Sequence, residues 1–234
     1  MNFLISIILT IVIISIGRNF IKTHSKLCYI LSAIISIVLI IASYSGVLSN
    51  VSPFVKAHIL PIFTKSAFAT SLFVVVMYTG ALKNGSKLMK ILMPIRAELS
   101  IIASILTLAH NIIFGKYHFV TLFTDPKSMS LNMLLAAIIS VVLIAIMLPL
   151  MITSFTSIRK KMKYKSWKKI QRFAYVFYGL IYVHIMLIMV PAAKTGNTQY
   201  IINVLIYSLV FLIYAVMRIN KALNKKSSTK FQTV

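Results

Sequence analysis

The chain has 234 residues, of which 59% are hydrophobic and only 12% are charged, and its mean hydropathy is +0.94. This composition leaves too little polar surface to cover a soluble core, so it excludes an ordinary soluble domain and predicts an all-α, integral membrane helical bundle. The net charge of +23 comes from cations that lie between apolar runs. That placement argues against a nucleic-acid partner and favours anionic lipid headgroups.

Hydropathy predicts seven membrane spans of the length that a bilayer requires. They cover residues 3–17, 27–49, 60–82, 97–114, 130–152, 173–190 and 200–217. The first span has no Lys or Arg before it and no small-residue cleavage pattern, so we interpret it as an anchor helix and not as a signal peptide. Pro94, Pro126 and Pro191 fall near span ends, whereas Pro149 is expected to bend the fifth span.

The cations are distributed unequally between the two ends of these spans. One set of alternate loops, with the C-terminal segment, contains 20 Lys and Arg residues, and the opposite set contains 5. By the positive-inside rule the larger set is cytoplasmic, which predicts an N-terminus outside and a C-terminus inside. We therefore divide the chain into an anchor helix with a basic loop (1–26), a six-helix domain (27–217) and a basic tail (218–234) that frays in solvent or lies on lipid.

Several classes of site are absent from the sequence. The glycines form neither a G-x-G-x-x-G pattern nor a P-loop, so no dinucleotide or ATP site is predicted. The two carboxylates, Glu98 and Asp125, lie towards opposite ends of the membrane, which excludes a paired-carboxylate site. Cys28 is the single cysteine, which excludes an internal disulfide and a thiolate cluster. Histidine remains as the credible ligand type.

Two histidines, His110 and His184, lie deep within separate apolar spans. His110 follows Arg96 by 14 positions and His184 follows Arg172 by 12, which correspond to about 21 Å and about 18 Å of helix. Both imidazoles would then lie in the outer half of a hydrocarbon core about 30 Å thick. The pair is compatible with a haem held between two axial imidazoles, and each ring alone is equally compatible with a helix–helix hydrogen bond. Both interpretations remain open from spacing alone.

Other ionisable residues have simpler interpretations. His24 is assigned to a basic cytoplasmic loop and His118 to an outer loop, and His58 is interpreted as an interfacial anchor. Lys65 lies near the outer end of the third span, where its stem can snorkel to the interface. The alternative is that its ammonium group pairs with a haem propionate, because an uncompensated carboxylate there would be costly.

Aromatic residues precede His184 on the sixth span. They are Phe173, Tyr175, Phe177, Tyr178 and Tyr182. They could form the wall of a macrocycle site, although interfacial anchoring and core packing explain several of them equally well. Met186 and Met189 are alternative axial ligands by chemistry, but methionines in membrane helices usually fill gaps.

Three stretches of the chain form a recognisable pattern. The first runs from Met93 to Leu99 and is followed by Leu108 to His110. The second comprises Ile152 to Phe155, the basic run 159–165, Trp167 to Tyr175 and then His184. The third is Tyr78 to Leu82. Together they resemble the ferric-reductase-like transmembrane cytochromes over spans three to six. Within that family, they are similar to the small haem-binding membrane subunits that partner methionine sulfoxide reductases.

The resemblance implies a b-type haem ligated by His110 and His184, in a multi-pass protein of a bacterial cytoplasmic membrane. Quinol or a partner flavoprotein would supply electrons to an extracytoplasmic acceptor, in redox chemistry or oxidative-stress defence. The chain has no flavin or nicotinamide domain, so it would be at most the haem subunit of an oxidoreductase system. Gln171 stands where the family's Trp-x-x-Leu-His-Arg motif commonly offers a histidine. We therefore expect one haem b per chain.

Two further functions remain open at this stage. A haem-capturing or haem-sensing membrane protein would need no electron donor, and the apparent loss of a second haem site favours it. A transporter that uses Lys65 and the histidines is the remaining alternative.

Overall fold

The structure is a computed structural model that describes residues 2–230, with side chains described as far as residue 224. Within that part the chain is helical and contains no β-strand. The α-helices are α1 (Asn2–Thr23), α2 (Ser25–Tyr44), α3 (Leu60–Thr64), α4 (Ala67–Ala81), α5 (Lys87–Leu92), α6 (Arg96–Thr124), α7 (Leu131–Ile152), α8 (Thr156–Arg159), α9 (Tyr164–Gln171), α10 (Phe173–Lys194) and α11 (Thr198–Lys230). A π-helical turn (Val55–Ile59) precedes α3, and three 3-10 turns are Val47–Asn50, Met93–Ile95 and Pro126–Ser128.

The prediction of an all-α membrane bundle with about seven spans is confirmed. Six helical segments of the described residues are long and apolar enough to cross a bilayer by themselves. A bent pair of helices, Val55–Thr64 and Ala67–Ala81, meets at 45° and forms the seventh candidate, as a broken span or as a re-entrant loop. The chain is therefore a multi-pass membrane protein.

Several helices extend beyond the apolar segments that predicted them. α6 continues to Thr124, so His118 lies on this helix and not in a loop. α10 continues to Lys194, which places Pro191 inside it. α11 continues to Lys230, so much of the expected basic tail is helical, while residues 231–234 lie outside the described residues. Hydropathy marks where apolar character ends, whereas a helix continues as long as its backbone hydrogen bonds do.

The third span breaks at Lys65 and Ser66. Ser66 has a left-handed backbone with φ of 60°, which is unusual for a residue other than glycine. The Lys65 and Ser66 N–H groups donate to the carbonyls of Pro61 and Phe63, both at 3.2 Å, and the next helix begins with the Thr70 N–H bound to Ser66. The turn thereby takes the Thr64 carbonyl out of the helical ladder and leaves it available to another donor.

α4 forms the centre of the bundle, and most of its side chains are buried. It packs against α1, α6, α10 and α11. The hydroxyls of Thr10 and Ser71 hydrogen-bond between α1 and α4, and Phe3 stacks on Tyr207 of α11 with ring centroids 3.7 Å apart. Small polar side chains commonly join membrane helices in this way. The predicted anchor helix is thus packed into the bundle.

Cations cover the carbonyl end of α4. Lys221 Nζ and Arg218 Nη1 donate to the Gly80 carbonyl at 3.0 and 3.4 Å, and Arg96 Nε donates to the Val76 carbonyl at 2.9 Å. Cations at a helix C-terminus satisfy its free carbonyls and its partial negative charge. We call this side of the membrane bundle, with the segment 83–96 and the loop 159–172, the basic end.

Candidate functional site

A cavity of about 290 Å³ opens in the half of the bundle away from the basic end. It lies among α4, α6, α7 and α10, and α11 contributes two tyrosines. Its volume is at the lower end of the range for small-molecule sites, about 300–1,000 Å³. We call it the histidine cavity because both predicted ligands, His110 and His184, line it. The other residues that line it are mainly apolar, which suits a hydrophobic ligand.

His110 is half-buried on α6 and is held by the broken third span. Its Nδ1 lies 2.8 Å from the Thr64 carbonyl, the group that the break at Lys65 leaves free. Because a carbonyl can only accept, Nδ1 must bear the proton, and Nε2 is left with a lone pair. The ring is therefore oriented and presents a ligating nitrogen.

His184 is held in the same way from α7. Its Nδ1 lies 3.2 Å from the Ala136 carbonyl and 3.2 Å from the Ser140 hydroxyl oxygen. The Ser140 hydroxyl itself donates to the Ala136 carbonyl at 2.9 Å, so its oxygen accepts from the ring. Nε2 of His184 again keeps its lone pair.

The two interpretations of these histidines are therefore compatible. Each ring makes a hydrogen bond to a neighbouring helix, as packing predicts, but each uses only Nδ1 to do so. The partner of His110 is a backbone carbonyl on α3, and not Asn111 or Thr107, which also line the cavity. A hydrogen bond at Nδ1 that fixes the ring is the usual support for an imidazole that binds metal through Nε2.

The donor set discriminates between kinds of metal site. Among the described residues, no group of three or more His, Cys, Asp or Glu side chains could hold a metal ion. Two imidazoles are too few for a tetrahedral zinc site, which takes three or four protein ligands. They are sufficient for haem iron, because the porphyrin supplies four ligands and the protein supplies the axial ones. The residues present therefore fit a haem.

Lys65 lies at the break between α3 and α4 and lines the histidine cavity. Its side chain is exposed, whereas the neighbouring Ser66 and Thr70 are buried and line the same cavity. The structure thus brings together all three predicted site residues. The exposed ammonium group is compatible both with snorkelling and with a carboxylate partner at the cavity rim.

Some residues of the cavity were not predicted. His118 lines it because α6 is longer than expected, and Tyr200 and Tyr207 reach it from α11. The uninterrupted helical sequence after residue 114 was a usable signal for His118. Nothing in the sequence pairs α11 with this cavity, because that contact depends on how the helices pack.

The aromatic residues of the sixth span mostly serve packing. Of the five, only Phe177 lines the histidine cavity, and Met189 lines it while Met186 does not. Tyr178 stacks on Phe211 with centroids 4.2 Å apart, and the Tyr182 hydroxyl hydrogen-bonds with that of Ser208 at 3.0 Å. Of these aromatic residues, Phe177 is therefore the one placed to form part of a macrocycle wall.

His58 and His24 are both exposed, and each has an aromatic neighbour four residues earlier in the chain. Phe54 lies 5.1 Å from the His58 ring and Phe20 lies 4.9 Å from the His24 ring. Neither lines the histidine cavity.

A smaller cavity of about 140 Å³ lies towards the basic end, and we call it the basic-end cavity. Arg96 on α6 and Gln171 on α9 line it, and no histidine is among its described lining residues. Gln171 Nε2 donates to the Thr153 hydroxyl at 3.0 Å, and Trp167 Nε1 donates to the Thr153 carbonyl at 3.1 Å. These bonds anchor α9 to the end of α7.

Comparison with known proteins identifies one family and one relative. The model of the ferric reductase like transmembrane component matches residues 65–182, which run from the break before α4 into α10. An uncharacterized protein of Treponema pallidum (strain Nichols) is 37% identical over 226 residues, covering 97% of this chain and 62% of that protein. The chain thus spans about three-fifths of that relative. No solved structure is significantly similar to this chain.

Proposed function

The chain belongs to the family of ferric-reductase-like transmembrane components, and from this premise we propose that it is a b-type haem protein of membrane electron transfer. His110 and His184 would be the axial ligands. The observation that carries the proposal is that the two rings line one cavity, and that each is fixed through Nδ1 with Nε2 unengaged. The family supports a role as a membrane electron-transfer component, and the ligation is our inference from the site.

The bound haem would supply one-electron chemistry, and the chain's own residues would set its environment. The carbonyls of Thr64 and Ala136 orient the two rings and increase their basicity as ligands. The apolar walls exclude water, and Lys65 would hold a propionate at the rim. With the basic end cytoplasmic, as the cation distribution predicts, this cavity faces the outer side of a bacterial cytoplasmic membrane and an extracytoplasmic acceptor.

The electron donor in this proposal is a quinol or a partner flavoprotein, and the acceptor belongs to redox chemistry or oxidative-stress defence. Haem and anionic lipid headgroups are the other partners, and no nucleic acid is involved. The chain would act as the haem subunit of such a system.

A second candidate is a protein that captures or senses haem without turnover. The basic-end cavity favours it, because its described lining includes no histidine that would hold a second haem. A single haem in the other half of the membrane would lie far from a donor on the basic side.

The deciding experiment is to purify the full chain in detergent and measure its haem. A pyridine haemochrome assay is expected to give one haem b per chain, with a six-coordinate, low-spin spectrum in both oxidation states. Two haems per chain would contradict the stoichiometry, and no haem after supplementation would refute the haem proposal. Reduction of the haem by quinols or by a membrane extract would favour electron transfer. If neither quinols nor the extract reduces the haem, the capture function is favoured.

A further inference from the structure

The break in the third span leaves two helix ends side by side, and only one of them has a partner. At the end of α3, the Thr64 carbonyl accepts from His110. The other end is the N-terminus of α4, where the first bonded N–H group is that of Thr70, which donates to the Ser66 carbonyl at 2.9 Å. The N–H groups of residues 67–69 donate to no acceptor among the described residues. They are the orphan donors of this helix.

This N-terminus is buried and carries no cap. Ala67 and Ala69 are only 5% and 1% exposed. Ser66 occupies the N-cap position, but its side chain makes no capping hydrogen bond. By contrast, the hydroxyls of Ser86 and Ser130 cap α5 and α7. Because buried N–H groups are almost always hydrogen-bonded, the N-terminus of α4 requires a partner that the described residues do not supply.

The uncapped end of α4 opens on the histidine cavity. Ser66 and Thr70 both line this cavity, and each is only 8% exposed. Neither hydroxyl makes a hydrogen bond within the part of the chain that the structure describes. Since the carbonyl end of α4 lies at the basic end, its N-terminus lies at the opposite end of the cavity wall. Two buried hydroxyls and three N–H groups are thus available there to a ligand.

The charges around this helix end are positive. Lys65 directly precedes Ser66 and lines the cavity, and His118 lines it from α6. The chain has two acidic residues, Glu98 and Asp125, and neither is among the described lining residues. A helix N-terminus adds a partial charge of about half a proton. Such a site lacks an internal counter-ion and suits an anion, as the N-termini of broken membrane helices do in other proteins.

We propose that the N-terminus of α4 binds a carboxylate of the ligand in the histidine cavity, and that this carboxylate is a haem propionate. The identity of the ligand rests on the proposed function. The N–H groups of residues 67–69 and the Ser66 hydroxyl would donate to the carboxylate, and Lys65 would add its charge. The same break would then serve the ligand twice, because the Thr64 carbonyl orients His110. The propionate edge of the macrocycle would point away from the basic end.

Haem b and its dimethyl ester provide a direct test, because the ester keeps the iron and the macrocycle but has no carboxylate. Each ferric compound is titrated into the full chain, purified without haem, in nanodiscs of neutral lipid. The Soret band of the low-spin form measures binding. The ester is expected to bind about 10- to 100-fold more weakly, the effect of losing charge-assisted hydrogen bonds.

Ser66→Asp places a carboxylate of the protein at the same helix end. It should weaken haem b binding about 10- to 100-fold and leave the affinity for the ester unchanged. Ser66→Asn is the matched control, since its side chain has nearly the same shape without the charge, and it should stay within about threefold of the wild type. Asp and Asn both tolerate left-handed backbone and cap helices well, so both variants should keep the melting temperature of the wild type.

Equal affinity of the wild type for haem b and the ester would overturn this site and leave the haem proposal intact. Undiminished haem b binding by Ser66→Asp would do the same. If nanodiscs of anionic phospholipid abolish the difference between haem b and the ester, the helix end binds a lipid headgroup and the propionate assignment is wrong. If neither compound gives a low-spin form, the haem proposal itself fails, so the two failures are distinguishable.

Discussion

The two cavities of this membrane bundle lie among α4, α6, α7 and α10 and share wall residues, but they differ in the polar side chains that line them. In the histidine cavity, each histidine ring is anchored at Nδ1 and keeps Nε2 for a ligand. In the basic-end cavity, the Gln171 side-chain amide donates from Nε2 to the Thr153 hydroxyl, and its carbonyl oxygen remains as an acceptor. The first arrangement suits a metal and the second suits a hydrogen-bonding ligand.

This contrast teaches that the partner that anchors a histidine or glutamine determines how its side chain can be used. A helix break frees the Thr64 carbonyl for His110, and the Thr153 hydroxyl at the end of α7 accepts from Gln171. The anchored nitrogen determines which atom remains for a ligand. The predictions below test this contrast in order of decreasing effect.

The largest effect is expected from His110→Ala and His184→Ala. Each removes one axial ligand, so each should abolish the six-coordinate, low-spin spectrum. The spectrum and haem content of the purified variants measure this, and His58→Ala is the control, because that exposed ring lies outside the cavity. An unchanged low-spin spectrum in either variant, at normal membrane expression, would show that the replaced histidine packs between helices and does not ligate the haem.

Ser140→Ala should have the next largest effect. It removes one of the two acceptors at Nδ1 of His184 and leaves the Ala136 carbonyl. Loss of such a supporting bond commonly lowers metal affinity about 10- to 100-fold, and the remaining carbonyl places this variant near tenfold. The rate of haem transfer to an excess of apomyoglobin measures the change. Ser104→Ala is the matched control, since its hydroxyl donates only to Ser100 of its own helix.

Lys65→Met keeps the apolar stem and removes the charge, and a smaller effect is expected. An exposed ion pair contributes about 0.2–1 kcal/mol, so haem should be released up to about fivefold faster, with a lowered midpoint potential. Lys127→Met serves as the control, because Lys127 is exposed and does not line the cavity. If haem affinity and midpoint potential both stay unchanged in Lys65→Met, the lysine is an interfacial anchor.

Gln171→His should leave the haem stoichiometry at one per chain. The new imidazole would lie in a cavity of about half the volume whose described lining includes no other histidine, so it would lack both a second axial ligand and space. A haemochrome assay on the purified variant checks this. A second haem in this variant would show that Gln171 alone prevents the basic-end cavity from binding haem.

Much of the fold follows from hydropathy, because a span must satisfy its own backbone in lipid and so must be helical. The seven-span bundle was therefore predictable, as were the two apolar segments that contain His110 and His184. Helix ends were less predictable. α6 and α10 continue past the apolar residues, which moved His118 and Pro191 into helices.

The supporting contacts of the site were not predictable from the sequence. Nothing in the residues around Lys65 and Ser66 marks a left-handed turn, since neither is glycine. The bonds of His110 to Thr64 and of His184 to Ala136 join residues far apart in the chain, and they depend on helix packing. Matching depth in two apolar spans singled out the two histidines as a pair, and the resemblance of the motifs to a known family favoured haem ligation over helix packing.

The left-handed turn at Ser66 also bears on how a ligand enters the histidine cavity. The segment before it, Val55–Thr64, has mostly exposed side chains in its first half, whereas Pro61, Ile62 and Thr64 in its second half are buried against α1, α4 and α6. Segments with few buried contacts open locally at a small fraction of the global unfolding free energy. Opening of the segment Val55–Thr64 would break the hydrogen bond between the Thr64 carbonyl and His110 while α4 and α6 stay packed. We therefore expect haem loading to follow the opening rate of this short segment, which amide hydrogen exchange can measure, and not the unfolding rate of the bundle.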